Sequence, residues 1–214
     1  MKRLLSAVLI FSIFVTFGLG TARSDEKLII ATATTGGTYY PVGVAIGTLI
    51  SIKLAASDKI TATAINSAGS GENIQMMKNK EADLAILQAL FGLQAYRGIG
   101  QYEGKPEKSF RAITMLWKNV EHFPMLSKYV KTGTIMDLKD FPKKFSIGKR
   151  GSGTEGSGRT ILSALGINPD SLSLEYLGYG PSVDAMIDGR IGAANIPAGI
   201  PLLPSFMPKW VQIR

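Results

Sequence analysis

Three times in this 214-residue chain an apolar, strand-like run breaks into a loop of glycine, serine and threonine and then enters a helical pattern. The loops are Thr35-Gly-Gly-Thr-Tyr-Tyr40, Ser67-Ala-Gly-Ser-Gly-Glu-Asn73 and Gly151-Ser-Gly-Thr154. The runs that feed them, Leu28–Ala33, Ile60–Ile65 and Phe145–Gly148, are short and rich in β-formers. Helical spacing follows: Val42, Ile46, Leu49 and Ile50 share one face over 41–54, and 72–80 and 154–165 read as helices. Further strands are expected at Leu84–Leu87, at Leu172–Tyr176 and in the apolar runs 110–116 and 191–196. Further helices are expected at 91–97, 137–140 and 182–188. Strands that alternate with helices in this way predict an α/β fold with mostly parallel pairing. Two such blocks meet near residues 117–125, which divides the chain into a first lobe over 25–116 and a second over 117–214.

The loops also carry the functional expectation. In open α/β sheets ligands sit beyond the carboxyl ends of the strands. A helix that starts there offers unpaired N–H groups and the positive end of its dipole, which favour an anion. Hydroxyls of Thr35, Thr38, Ser70, Ser152 and Thr154 add neutral donors, and Tyr39, Tyr40 and Tyr96 can wall a cleft. Arg97 and Arg150 are candidate partners for a carboxylate, because a guanidinium grips one in a bidentate fork. Serine, threonine and glycine cap and turn helices in any α/β protein, and an arginine in a last helical turn is favourable there regardless of ligand. Three donor-rich loops spread over both blocks are what tilts the reading toward a site.

Other chemistries find little support. The chain has no Cys and one His, which removes thiolate chemistry and the usual zinc sets. His122 lies in Asn119-Val-Glu-His-Phe-Pro124, reads as a partly exposed turn residue and has no nucleophile nearby, so an exported hydrolase or transferase is disfavoured. Gly151-x-Gly153-x-x-Gly156 imitates a dinucleotide fingerprint, and Gly153 to Thr160 a P-loop with Arg159 in place of its lysine. Both sit mid-chain, outside the units those motifs need. The formal charge of +8 includes Lys2, Arg3 and Arg23, and basic residues neither cluster nor interleave with aromatics, so nucleic acid is not expected. Residues 1–24 read as an export signal: a basic start, an uncharged apolar core over Leu4–Leu19, and small residues at Ala22 and Ser24. A helix over that core rises about 24 Å, short of a bilayer's roughly 30 Å hydrocarbon layer. No later segment reads as a span, and a periplasmic or extracytoplasmic location is expected.

Four stretches together resemble the TAXI family, the solute-binding subunits of tripartite ATP-independent periplasmic (TRAP) transporters. They are Ala31-Thr-Ala-Thr-Thr-Gly-Gly-Thr-Tyr-Tyr-Pro-Val-Gly43, Gly69-Ser-Gly-Glu-Asn-Ile74 with Glu81-Ala-Asp-Leu-Ala-Ile-Leu-Gln88, Ile135-Met-Asp-Leu-Lys139 with Gly148-Lys-Arg-Gly-Ser-Gly-Thr-Glu155, and Asp188-Gly-Arg-Ile191 with Pro197-Ala-Gly-Ile-Pro201. The resemblance implies a type II periplasmic-binding-protein fold, two α/β lobes closing on a cleft, with no catalysis and no cofactor. It implies a small anionic solute, an amino acid or dicarboxylate such as glutamate or 2-oxoglutarate, handed to the permease subunits of a TRAP transporter. Carried over by position, Thr35, Gly36, Thr38, Tyr39, Ser70, Asn73, Gln88, Ser152, Gly153 and Thr154 line the cleft, and Arg150 adjoins it. Two departures stand out. Gly192 occupies a position where the family carries Asp. The segment that returns to the first lobe is not recognisable through Arg214, which suggests a C-terminally truncated form, in the extreme a binding-dead remnant.

Overall fold

The computed structural model describes residues 24–199 and 211–213. The expected export signal over 1–24 therefore lies outside the described residues, apart from Ser24. Eight strands and five α-helices are described. Strands β1 (Glu26–Ala31), β2 (Ile60–Ile65) and β3 (Leu84–Ala85) form a parallel sheet in the order β2-β1-β3. Its register runs from Glu26↔Ile60 to Ala31↔Ile65 on one side of β1, and Ile30↔Leu84 and Ala31↔Ala85 on the other. Helix α1 (Tyr39–Asp58) follows β1, α2 (Ser70–Lys78) follows β2, and α3 (Ala89–Arg97) follows β3. Gly98 stops α3 in the left-handed conformation, as its position in the sequence predicts. Residues Ile74, Phe91 and Ala95 form the buried centre beneath α2 and α3.

Helix α1 departs from an ordinary amphipathic surface helix. It is apolar all round, it buries only Gly43 and Gly47, and Leu49 and Ile52 stay 58% and 69% exposed. By length and composition it is apolar enough to cross a membrane, which the sequence reading did not expect of any segment after residue 24. In the fold it lies along β2, where Ser51 Oγ accepts from Ala62 N at 3.0 Å.

The second sheet is mixed, in the order β6-β5-β7-β4-β8. Strands β5 (Phe145–Ser146), β6 (Leu174–Glu175) and β7 (Ala193–Ala194) are parallel, whereas β4 (Phe123–Met125) runs antiparallel to β7 and to β8 (Val211–Ile213). Helices α4 (Gly153–Ala164) and α5 (Tyr179–Ile187) follow β5 and β6. Phe123, Met125, Leu138, Phe145, Ile147 and Leu162 form its main core.

Two expectations are corrected here, and the departure at Gly192 finds its reason. The run 110–116 is not a strand: it finds no pairing partner, and Ile113 and Met115 are about 80% exposed. Backbone N–H and C=O groups need a neighbour to make a ladder, and apolar composition does not supply one. His122 is not an exposed turn residue; it is 5% exposed and its Nδ1 lies 3.2 Å from the Ile196 carbonyl oxygen. It precedes β4, an interior strand of the second sheet that Pro124 disguises, since proline within a run argues against an interior strand. Gly192 lies under Tyr129 and Phe141, where a Cβ would approach the Phe141 ring to 2.8 Å. The aspartate that the resemblance places at this position has no room.

Candidate functional site

Every described α-helix starts at the same place. The N-cap residues of α1 to α5 are Thr38, Gly69, Gln88, Ser152 and Gly178. All five line one cavity between the two sheets. Parallel strands on either side end at this gap, so the helices that follow them begin there. Only Ser152 caps its helix with a side chain, accepting from Glu155 N at 3.0 Å. Glu155 in turn accepts from Gly151 N, one residue before the cap, at 2.8 Å. Among the described residues the backbone N–H groups of Ser70, Gly71, Gly153, Thr154 and Tyr179 meet no acceptor. Lys149 also lines the cavity and is its one charged side chain among the described residues.

Several hydroxyls around the cavity are already engaged, whereas Thr34 Oγ1 is buried without a partner. Ser70 Oγ accepts from Gln88 N at 3.0 Å. Thr154 Oγ1 pairs with Tyr179 Oη at 2.9 Å, and Tyr179 donates to the Pro197 carbonyl at 2.9 Å. Burial pushes the Tyr39 phenol up to about 12 and raises that of Tyr179 further, so both stay neutral donors. The wall therefore combines positive dipole ends, neutral hydroxyls and one ammonium.

The lobes stand close together. The enclosed volume is about 30 Å³, room for a water or two. Contact between the lobes is backbone against backbone and ring against backbone. A Cβ on Gly71 would lie 2.2 Å from the Gly151 carbonyl oxygen, and one on Gly156 would lie 2.1 Å from the Phe91 ring. Tyr39 meets Trp117 edge-on at 5.7 Å.

Of the residues singled out in the sequence, Thr38, Tyr39, Ser70, Gln88, Ser152, Gly153 and Thr154 are brought together on the cavity wall. Thr35 and Gly36 are exposed outside that wall, and Ala33, Thr34 and Gly37 line it instead. Asn73 is fully buried behind the wall, where Nδ2 donates to Thr32 O at 2.6 Å and Ile86 O at 2.9 Å. Arg150 turns outward: its guanidinium stacks 3.6 Å from the Tyr176 ring centre and borders a separate groove with Glu72, Gln75 and Tyr102. Arg97 ends α3, away from the end that starts at the cavity. Sequence reasoning passed over Lys149, Asn119, Gly178, Tyr179 and Pro197. The first adjoins the glycine loop and could have been read; the others depend on which strand ends converge. The glycines that imitate nucleotide motifs have packing roles instead, Gly156 beneath Phe91 and Gly158 beneath Ile147 and Asn195. Arg159 is held by Glu155, Asp170 and Tyr176.

Known structures share this architecture. The alkanesulfonate-binding protein SsuA from Xanthomonas axonopodis pv. citri, bound to MOPS, matches with a TM-score of 0.58 at 15% identity, over 91% of this chain and 62% of that one. The CcmR regulatory domain of Synechocystis in complex with 2-PG matches with 0.58 at 15% identity, over 88% and 80%. A binding-protein component of an ABC phosphonate transporter from Pseudomonas aeruginosa matches with 0.58 at 12% identity, over 89% and 65%. This chain thus spans less than two thirds of the length of the first and third. At such identities the likeness is one of fold, a periplasmic-binding-protein fold of two α/β lobes about a cleft. Residues 30–207 match a known family over most of the chain, and the chain belongs to the NMT1-like family.

Proposed function

We propose that the protein is an extracytoplasmic, non-catalytic solute-binding protein that closes its lobes on a small anion and delivers it to a membrane permease. The convergence of five helix N-termini on one cavity carries this reading. Each contributes roughly half a positive charge's worth of dipole and unpaired N–H donors. Lys149 adds a full charge. The fold neighbours named above include an alkanesulfonate binder, a phosphonate-transporter component and a domain holding 2-PG. Motif resemblance to the TAXI family favours a carboxylate, glutamate or a related dicarboxylate, and a TRAP permease. The chemistry these ligands share is a compact group of negatively charged oxygens. Residues 25–116 and 117–214 act in this reading as the two moving bodies.

A thermal-shift and calorimetric panel of glutamate, 2-oxoglutarate, ethanesulfonate and methylphosphonate tests the class. A bound anion at a hundred times its Kd stabilises by about 2.7 kcal/mol. Lys149→Gln is expected to weaken the best of these about tenfold, the lower end for a lost charge-assisted hydrogen bond. It should also flatten the decline of affinity with added salt. If no anion binds, or if Lys149→Gln binds with unchanged salt dependence, the site is not an anion site of this kind.

A further inference from the structure

Three uncharged polar side chains on the cavity wall lack partners among the described residues. Gln88, 9% exposed, bonds only through its backbone: its N–H donates to Ser70 Oγ and its carbonyl accepts from Gly92 N. Its side-chain amide makes no hydrogen bond to a described residue and faces the start of α4, since a Cβ on Gly153 would lie 3.1 Å from Gln88 Oε1. Thr34 Oγ1 is dry and unpartnered. Thr34 stands at the start of α5 beside Lys149: a Cβ on Gly178 would meet Thr34 Cγ2 at 3.2 Å and Lys149 Cε at 3.5 Å. Asn119 Oδ1 is likewise dry and unpartnered. Gln88, Thr34 and Asn119 all line the cavity on which the helix starts converge.

Two of these groups are primary amides, and a primary amide has two ends. The NH2 end can donate to an anion. The oxygen cannot; it repels an anion, and buried without a donor it costs free energy. Turning the amide over changes which end is dry but does not remove the oxygen. An anion alone therefore leaves the oxygens of Gln88 and Asn119 unmatched. An ammonium would match them, but among the described residues no Asp or Glu lines the cavity, and Lys149 and the positive helix ends oppose a further cation. A hydroxyl suits the whole set, because it donates to an amide oxygen and accepts from an amide NH2 or from Thr34. We infer that the solute is a small anion that also bears a hydroxyl. Its anionic group meets the helix starts and Lys149, and the amides of Gln88 and Asn119 select for the hydroxyl. This rests on the anion-binding reading above and names the substrate class within it.

Calorimetry of the full chain with matched anions reads the preference directly. Ethanesulfonate, 2-hydroxyethanesulfonate and 2-aminoethanesulfonate share one anionic group and differ at one substituent; propionate, lactate and alanine repeat the comparison on a carboxylate. In whichever series binds, the hydroxylated member is expected to bind at least about tenfold tighter than the other two, because a site built to bond a hydroxyl is left with unpaired groups by the analogue that lacks it. Gln88→Leu and Asn119→Leu remove each amide at similar volume. Each should shrink that ratio, and the double variant should bring it close to one. Equal affinity for the hydroxylated and plain anions overturns the inference and leaves the anion reading standing, and so does tighter binding of the amino member. A ratio undiminished in the folded double variant overturns the assignment to these amides. If no anion of either series or of the panel above binds, the anion reading fails and this inference falls with it. Should the variants not fold, the comparison of the three analogues on the unaltered chain decides by itself.

Discussion

Gly71→Ala should weaken solute binding at least a hundredfold while leaving each lobe folded. The added methyl would lie 2.2 Å from the Gly151 carbonyl oxygen, which belongs to the backbone of the opposite lobe and cannot turn aside. Relief requires the faces to part, so the closed state loses the contacts a guest makes with both sides at once. Loss of one such set, at about 1.5–3 kcal/mol per charge-assisted hydrogen bond, accounts for two decades in affinity. Unfolding of the free variant should change little, because every close neighbour of the added methyl lies across the gap. Small-angle scattering of the variant should report a more open particle. Equal affinity in the two proteins would show that closure across this seam is not part of binding.

Asn73→Ala is expected to cost about 3 kcal/mol of stability, with the loss concentrated in the first lobe. The side chain is fully buried and ties together three strand ends: Nδ2 donates to Thr32 O and Ile86 O, and Oδ1 accepts from Ser67 Oγ at 2.6 Å. Alanine leaves the Ile86 carbonyl short of a partner, at roughly 1–3 kcal/mol for a buried group left unpaired, and opens a cavity where the amide stood. Thr32 O retains Ser67 Oγ at 3.1 Å, which softens the loss there. Urea titration of both proteins checks this. A change below about 1 kcal/mol would mean that water or relaxation replaces the bracket.

How far the sequence foretold this arrangement depends on what each residue's position rests on. The parallel first sheet, the helix starts after β1, β2 and β5, and the gathering of Ser70, Ser152 and Thr154 follow from local pattern: a strand, a glycine-bearing corner, a helix. Direction within the corner was less readable. Thr34 and Thr35 are adjacent hydroxyl residues, yet one lines the cavity and the other faces out, a matter of a single peptide's orientation. Asn73 looked like a ligand donor because it lies in the loop motif, but its amide is one helical turn in and reaches the strand ends first. Arg150 illustrates a different limit. A guanidinium beside a glycine loop satisfies an anion or an aromatic face, and Tyr176 stands on the neighbouring strand's exit. That proximity arises only once β5 and β6 pair. The strand β4 and the burial of His122 depend likewise on β7 and β8, both distant in sequence.

The edge-on meeting of Tyr39 with Trp117 has a practical corollary. The indole lies at the seam with its Nε1 hydrogen dry and unclaimed. Parting of the two faces would bring water to it, and indole emission reddens in a wetter surrounding. The protein therefore carries its own optical gauge of the hinge. Stopped-flow fluorescence on the unlabelled chain can time the snap shut, and Trp117→Phe should silence the signal.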